Sequence, residues 1–309
     1  MPSQPAKSSA GRPCSRQLAR ALAAAALFAA ATAQAQTGAG AALPRWQVEA
    51  SLSHDDNVSR GRRKDEILSD DVLGLRLSRD WDWNLATGSR LLLNAAAGGE
   101  GFSRNPRLSR AFVEVESAID YRASGSFDEP TYSLFLRGTA DQSRSTLRSA
   151  NRWAAGARVA MALTDRINAV AALAYQDARA RSAVFSGAHR AATLNLDYAA
   201  SDNTVFYATL DARWGDATGG GRPSLENIDI AKVSVSDDAY PGAGREAYRF
   251  DARTIVTVLG GNRGIGSNMS IDLSWRRAQI TPSASLPFVS DVPRSYLANQ
   301  FVLSVSHRF

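Results

Sequence analysis

Twelve separate segments of this sequence alternate apolar and polar residues with a period of two. Successive side chains of a β-strand point to opposite faces, so the alternation predicts strands with one apolar and one polar face. The segments are residues 46–53, 72–78, 90–97, 111–121, 131–140, 153–163, 167–175, 191–198, 204–214, 248–258, 268–275 and 300–309. A chain with this pattern must cover a continuous apolar sheet face and pair both edges of the sheet.

The chain ends inside the last of these segments, FVLSVSHRF. This segment places Phe301, Leu303, Val305 and Phe309 on one face. A terminal strand left unpaired would be an edge open to other chains. We therefore expect the last strand to pair with the first, near Trp46, and to close the sheet on itself.

The connections between the segments alternate in length. The odd-numbered connections are long and polar, and most even-numbered ones are short, with clear turns at 164–166, 199–203 and 260–267. Long loops at one end and short turns at the other are typical of membrane-spanning barrels. The sequence thus predicts an all-β transmembrane antiparallel up-and-down β-barrel of 12 strands, with 10 or 14 as alternatives. The weakest assignments are the third strand and the fifth long loop, where ENIDIAKVSVSD could form an extra hairpin.

The N-terminus has the features of a secretory signal peptide. Four basic residues precede the apolar run ALAAAALFAAATA, and an A-x-A site follows the run at 33–35. We predict a signal peptide at 1–35, a short segment at 36–44 and the barrel at 45–309. Cys14, the one cysteine of the sequence, leaves with the signal peptide, as do four of the six net positive charges. The nearly neutral remainder gives no argument for nucleic acid, and we find no cofactor motif and no supported metal site.

The two faces of the predicted strands differ in charge. The apolar face contains no Asp, Glu, Lys or Arg in the twelve segments, and only His307 is ionisable, whereas the polar face contains fifteen charged residues. Arg or Lys at the bilayer midplane costs about 2–4 kcal/mol, so an apolar face of this kind suits lipid. A soluble β-sandwich could not bury the charged face. The residues predicted to line the lumen and set its selectivity are Arg76, Arg137, Arg158, Arg213, Arg249, Arg253, Arg276, Glu114, Glu116 and Asp211.

Aromatic residues agree with this topology, because Trp and Tyr favour membrane interfaces. They fall in two rows, one near each end of the predicted strands. We place Trp46, Tyr121, Tyr132, Tyr198, Phe206 and Phe309 at the periplasmic rim. The outer row contains Trp153, Tyr175, Trp214, Tyr248 and Trp275.

The terminal strand resembles that of Gram-negative outer-membrane proteins, whose last strand alternates apolar residues and closes on Phe. The resemblance implies that the protein is located in the outer membrane and that the barrel-assembly machinery recognises it. It also implies contact with the lipid bilayer and with lipopolysaccharide. A fainter resemblance lies in LSHDDNVSRG (52–61). It is similar to the opening of barrels in surface lipoprotein assembly modifiers and exopolysaccharide-secretion proteins, which usually carry an additional helical-repeat domain.

Three functions remain open from the sequence. The first is a pore or export-related channel with an arginine-rich lumen of mixed charge, for small polar or anionic solutes or saccharides. The second is an outer-membrane enzyme with an active site at the rim, in which His54, Asp55, Asp56 and His189 are the candidate groups. The third is a structural or secretion-accessory barrel that acts through its surface loops.

Overall fold

A computed structural model describes residues 46–123, 126, 129–224, 227, 229–240, 244–284 and 294–309. The predicted signal peptide and the segment 36–44 lie outside these residues. The strands are β1 Trp46–Asp55, β2 Asp70–Ala86, β3 Ser89–Phe102, β4 Arg110–Tyr121, β5 Thr131–Ser143, β6 Ala150–Ala162, β7 Ile167–Ala180, β8 Gly187–Ser201, β9 Thr204–Gly221, β10 Val233–Ser236, β11 Glu246–Ile265, β12 Met269–Pro282 and β13 Tyr296–Arg308. Two short 3₁₀ helices lie at Pro106–Leu108 and Ala183–Phe185. Among the described residues, no helix is long and apolar enough to cross a membrane.

All strands except β10 form one closed antiparallel barrel of twelve strands. Each pairs with its neighbour in sequence, β9 pairs with β11, and β13 pairs with β1. The closing ladder runs from Gln47 opposite Arg308 to Asp55 opposite Gln300, with Ser51 opposite Ser304 at its centre. Closure satisfies the backbone hydrogen-bonding groups of both terminal strands. The predicted fold class and strand number are confirmed.

The turns at one end are short because their residues allow tight reversal. Thr87 and Gly88 alone connect β2 to β3, and Gly88 has a φ of 77°, which glycine adopts without steric cost. The strands run further than the sequence segments indicated. β11 continues to Ile265, where a turn beginning at residue 260 was predicted, and the loops 144–149 and 181–186 at the opposite end have only six residues each. We call the end that carries the longer loops the outer end.

β10 comes from the fifth long loop and lies outside the barrel. It pairs with the outer part of β11, from Val233 opposite Arg249 to Ser236 opposite Glu246. β12 pairs with β11 only from Ala252 onward. The segment suspected of forming a separate hairpin therefore contributes one strand, which extends the sheet along β11 beyond the outer end of β12.

The outward face carries a broad apolar belt, with Leu134, Leu173 and Leu273 each more than 60% exposed. Within the twelve predicted segments the outward face is free of charged residues except on β11, and the strands continue beyond the segments, where further charged residues face outward. Outward-facing arginines occur near the short turns, at Arg79 and Arg263, and toward the outer end, at Arg179, Arg190, Arg253 and Arg277. Near the interfaces, a charge on the lipid face costs only about 0–1 kcal/mol. Arg79 also lies between Trp46 and Trp81, 5.0 and 4.9 Å from the ring centres.

The predicted orientation of β11 is wrong. Arg253 is exposed and pairs with the outward-facing Trp214, so it does not line the lumen. Tyr248, predicted to belong to the outer aromatic row, is 2% exposed and packs inside with Phe250 and Tyr296. The inner apolar cluster consists of Ile230, Tyr248, Phe250, Ala252, Ile280 and Tyr296. At this level the strand has left the lipid, so apolar side chains gain more from packing under the loops than from facing outward.

Candidate functional site: the charged lumen

A cavity of about 500 Å³ lies in the barrel interior. Six arginines and four acidic residues line it: Arg76, Arg110, Arg137, Arg152, Arg213, Arg249, Glu100, Glu114, Asp177 and Asp216. Five of the predicted lumen residues line this cavity, namely Arg76, Arg137, Arg213, Arg249 and Glu114. Arg249 shares its face of β11 with Arg253, and it reaches the cavity beside the loop 181–186, where it donates to the Ser186 carbonyl. The lining is rich in arginine and suits polar or anionic molecules.

Two lining residues, Glu100 and Arg110, were missed because the predicted loop 98–110 is partly strand. Glu100 and Phe102 continue the alternation of β3, and Arg110 begins β4. Arg110 pairs with Glu100, with Nε and Oε2 2.9 Å apart. The alternation of outward and inward residues continues past the Gly-Gly pair at 98–99, and it could have identified these residues as inward-facing. Arg152 of β6 pairs with Asp141 of β5 at 2.5 Å.

Ion pairs, within one strand or between strands up to two apart, hold most lumen arginines in place. Arg76 Nη2 lies 2.9 Å from Glu114 Oε1. Glu116 accepts from both Arg137, at 2.5 Å, and Arg158, at 3.3 Å. Arg213 pairs with Asp211 on its own strand at 2.6 Å. Such pairs hold the guanidinium groups in place, and they also cancel much of the field of each arginine.

Phe112 lies between two of these arginines. The guanidinium carbons of Arg76 and Arg110 are 5.8 and 5.7 Å from the centre of its ring. The ring fits against Gly98 of β3, where an added Cβ would approach its Cζ to 2.7 Å. The absence of a side chain at Gly98 therefore gives Phe112 its position, and cation–π contacts help to order both arginines.

Arg276 differs from the other predicted lumen residues. It lies on β12 opposite Gln300, whose amide bonds Ser53 across the closing ladder. Within the described part of the chain, no carboxylate lies within ion-pair distance of Arg276, and its charged neighbours are Arg213, Arg60, Asp211 and Asp55. Because both of those carboxylates already pair with arginines, the charge of Arg276 is the least compensated in this part of the lumen.

The first and fifth long loops pack together over the outer end. Asn57 and Glu66 of the loop 56–69 are each 1% exposed. Arg245 Nη1 donates to the Glu66 carbonyl at 2.6 Å, and the Tyr240 hydroxyl donates to the Val58 carbonyl at 3.0 Å. Burial raises the pKa of Tyr240 to about 12, so its hydroxyl keeps this proton at neutral pH. The loops thus form an ordered cap that narrows access to the cavity from outside.

A second contact fastens the cap to the loop 144–149. Arg148 pairs with Asp237 at 2.5 Å, and Asp238 accepts from the backbone N–H of Thr146 at 2.8 Å and from the Ser145 hydroxyl. Burial alone would raise the pKa of Asp238, but the hydrogen bonds from Ser145 and Thr146 lower it below the usual 3.8. The stabilisation from this carboxylate is therefore complete above pH 3.8 and is lost as the pH falls through the lowered value.

Removing both carboxylates should loosen the cap. We expect Asp237→Ala/Asp238→Ala to lower the protection of amides 233–240 against hydrogen exchange at pH 7, and expect the wild-type protection factors, which are corrected for intrinsic exchange rates, to be alike at pH 5 and 7. Asp229→Ala is the matched control, because Asp229 is an exposed carboxylate of the same loop. Equal exchange in the double variant and the control would show that these contacts do not hold the loop.

The two candidate catalytic histidines do not meet. His54 Nδ1 lies 2.7 Å from Asp71, and both side chains are nearly half exposed on the outward side of β1 and β2. His189 lies on β8 and lines the cavity. Asp55 pairs with Arg60, and Asp56 accepts from the backbone and side-chain N–H groups of Asn299 at 2.7 and 2.8 Å. The acidic groups beside His54 therefore anchor the first loop.

No protein-family model matches the sequence, and no curated protein matches it. Among solved structures, an outer-membrane channel from Pseudomonas putida F1 is 12% identical, with 89% of this chain and 100% of that chain covered and a TM-score of 0.54. The KdgM porin is 11% identical, with 85% and 99% covered and a TM-score of 0.45. The NanC porin is 8% identical, with 84% and 98% covered and a TM-score of 0.43. The closed twelve-strand barrel and the likeness to the Pseudomonas channel together show that this chain has the fold of bacterial outer-membrane β-barrel proteins.

Proposed function

We propose that the protein is an outer-membrane channel whose positively charged inner chamber accepts small polar or anionic solutes, including acidic saccharides. The six arginines that line the 500 Å³ cavity carry this proposal. A narrow polar chamber with a low-dielectric wall concentrates the field of its uncompensated charges. Guanidinium groups also bind carboxylates and phosphates with two parallel hydrogen bonds.

The proposal places the apolar belt in the outer membrane, with the short turns toward the periplasm. The exposed leucines of the belt would otherwise contact water over a large continuous area, which soluble proteins avoid. Transmembrane barrels of this class carry their longer loops on the outside. In this orientation, a solute reaches the chamber after passing the cap formed by the first and fifth loops.

Arg276 should contribute more to ion selectivity than the paired arginines. We expect Arg276→Gln to shift the reversal potential in a salt gradient toward cations, because no bound carboxylate offsets the charge that is removed. The shift should shrink at high salt, since the Debye length falls from about 10 Å at 0.1 M to about 3 Å at 1 M. The measurement is single-channel recording on refolded protein in a planar bilayer.

Arg253→Gln is the matched control for this experiment. It removes the same charge from the neighbouring strand β11, but on the outward face. The reversal potential of this variant should equal that of the wild type. Well-folded wild-type protein without measurable conductance would contradict the channel itself, whereas equal shifts in the two variants would contradict the role of Arg276.

A further inference from the structure

A row of alternating aromatic and basic side chains crosses the outward face near the outer end. Tyr175 of β7 is paired with Arg190 of β8, Arg190 with Trp214 of β9, and Trp214 with Arg253 of β11. Tyr175 and Trp214 are 42% and 48% exposed, and both arginines are exposed. We call these four residues the outer arginine row.

The arginines of this row have no partner among the residues that the structure describes. Among the residues that the structure describes, neither Arg190 nor Arg253 forms an ion pair, a hydrogen bond or a cation–π contact. Nearby basic groups differ in this respect, since Arg179 lies 3.5 Å from Asp177 and Lys232 pairs with Asp216 and Asp251. Two arginines on a face that borders lipid therefore keep their full charge.

Their spacing suits a ligand with several negative charges. Adjacent strands lie about 4.8 Å apart, so the backbones of Arg190 and Arg253 are separated by about 10 Å, with Trp214 between them. Indole and phenol rings favour the boundary between hydrocarbon and headgroups, and they place the row at that depth. At this depth the outer leaflet of a Gram-negative outer membrane presents phosphorylated sugars.

We propose that the outer arginine row binds the phosphorylated saccharide headgroup of outer-leaflet lipopolysaccharide. Arg190 and Arg253 supply charge-assisted hydrogen bonds to phosphate, and Tyr175 and Trp214 pack against the sugar and the start of the acyl chains. The binding concerns the outer wall of the barrel and does not depend on conduction through the lumen.

Titration of refolded protein with purified lipopolysaccharide, followed by native mass spectrometry, tests this proposal. We expect Arg190→Gln/Arg253→Gln to raise the apparent Kd by roughly tenfold or more, which corresponds to the loss of about one charge-assisted interaction. Arg190→Lys/Arg253→Lys should stay close to the wild type because it keeps both charges. Arg263→Gln is the matched control, since Arg263 is an exposed arginine on the outward face of β11 near the short-turn end.

The phosphate groups are tested with the wild-type protein alone, which keeps the proposal testable if the double Gln variant fails to fold. Enzymatically dephosphorylated lipopolysaccharide should bind at least tenfold more weakly than the intact lipid, by the same reasoning on charge-assisted bonds. Inorganic phosphate at an equal concentration should not displace the lipid. Unchanged binding after dephosphorylation, an equal loss in Arg263→Gln, or full displacement by inorganic phosphate would each overturn the proposed headgroup site.

Discussion

Leu210→Arg should prevent efficient folding into lipid bilayers. Leu210 lies in the middle of β9, is 48% exposed on the outward face, and is paired with Leu194 and Thr257. An arginine near the bilayer midplane costs about 2–4 kcal/mol, which lowers the folding equilibrium constant by roughly thirty-fold to several hundred-fold. Denaturant titration of folding into lipid vesicles measures this change, and the mobility of unheated protein on gels reports the folded fraction.

Thr209→Arg is the matched control, because it introduces the same group one residue earlier on the opposite face. The Thr209 hydroxyl bonds Asn195 in the polar lumen, where a guanidinium keeps access to water. We expect the loss in folding free energy to be well below that of Leu210→Arg. Equal losses in the two variants would contradict the outward orientation of Leu210.

Deleting Phe309 should strongly lower the amount of protein inserted into the outer membrane of cells. β13 ends at Arg308, directly before this residue, and its ladder with β1 closes the barrel. We propose that the terminal strand, with Phe301, Leu303, Val305 and Phe309, is what the barrel-assembly machinery recognises. Immunoblots of fractionated membranes measure the inserted protein, and a fall of several-fold against the wild type is the expected result.

Two comparisons separate recognition from stability. Phe206→Ala removes an aromatic side chain that is 54% exposed on β9, near the same end of the barrel but far from the terminus, and insertion of this variant should stay close to wild type. Protein without Phe309 should also fold normally into vesicles in vitro, where no assembly machinery is needed. Equal insertion of the two variants in cells would show that the terminal residue has no special role.

The local pattern of β13 and β1 was sufficient to predict closure, because each residue of an alternating strand reports which face it occupies. The same alternation led to a wrong orientation for β11. There, YRFDARTIVTV offers an apolar and a charged set, and the charged set was assigned to the lumen. That assignment assumes that the outer face of β11 meets lipid along its whole length. Tyr248 and Phe250 lie at a level where it does not, and inside the barrel they pack against Tyr296 and Ile280.

The sequence pattern also did not predict which loop residues are buried. Glu66 and Asn57 belong to a polar stretch that predicts a solvated loop, yet both are buried by contacts with residues more than 150 positions away. The cap depends on such contacts, and no period in the sequence encodes them. The same holds for Arg276, which has no carboxylate partner among the described residues because Asp211 and Asp55 already pair with Arg213 and Arg60.

The sequence by itself determined the all-β class, the twelve strands, the antiparallel order and closure through the terminal strand. These features follow from side-chain alternation and turn chemistry, which act between residues close in sequence or directly paired across strands. Only the tertiary structure decided which charges compensate each other, which arginines remain free on each face, and how the loops cover the outer end. Those properties depend on distances between residues brought together by closure of the barrel, and electrostatic and packing energies change steeply with such distances.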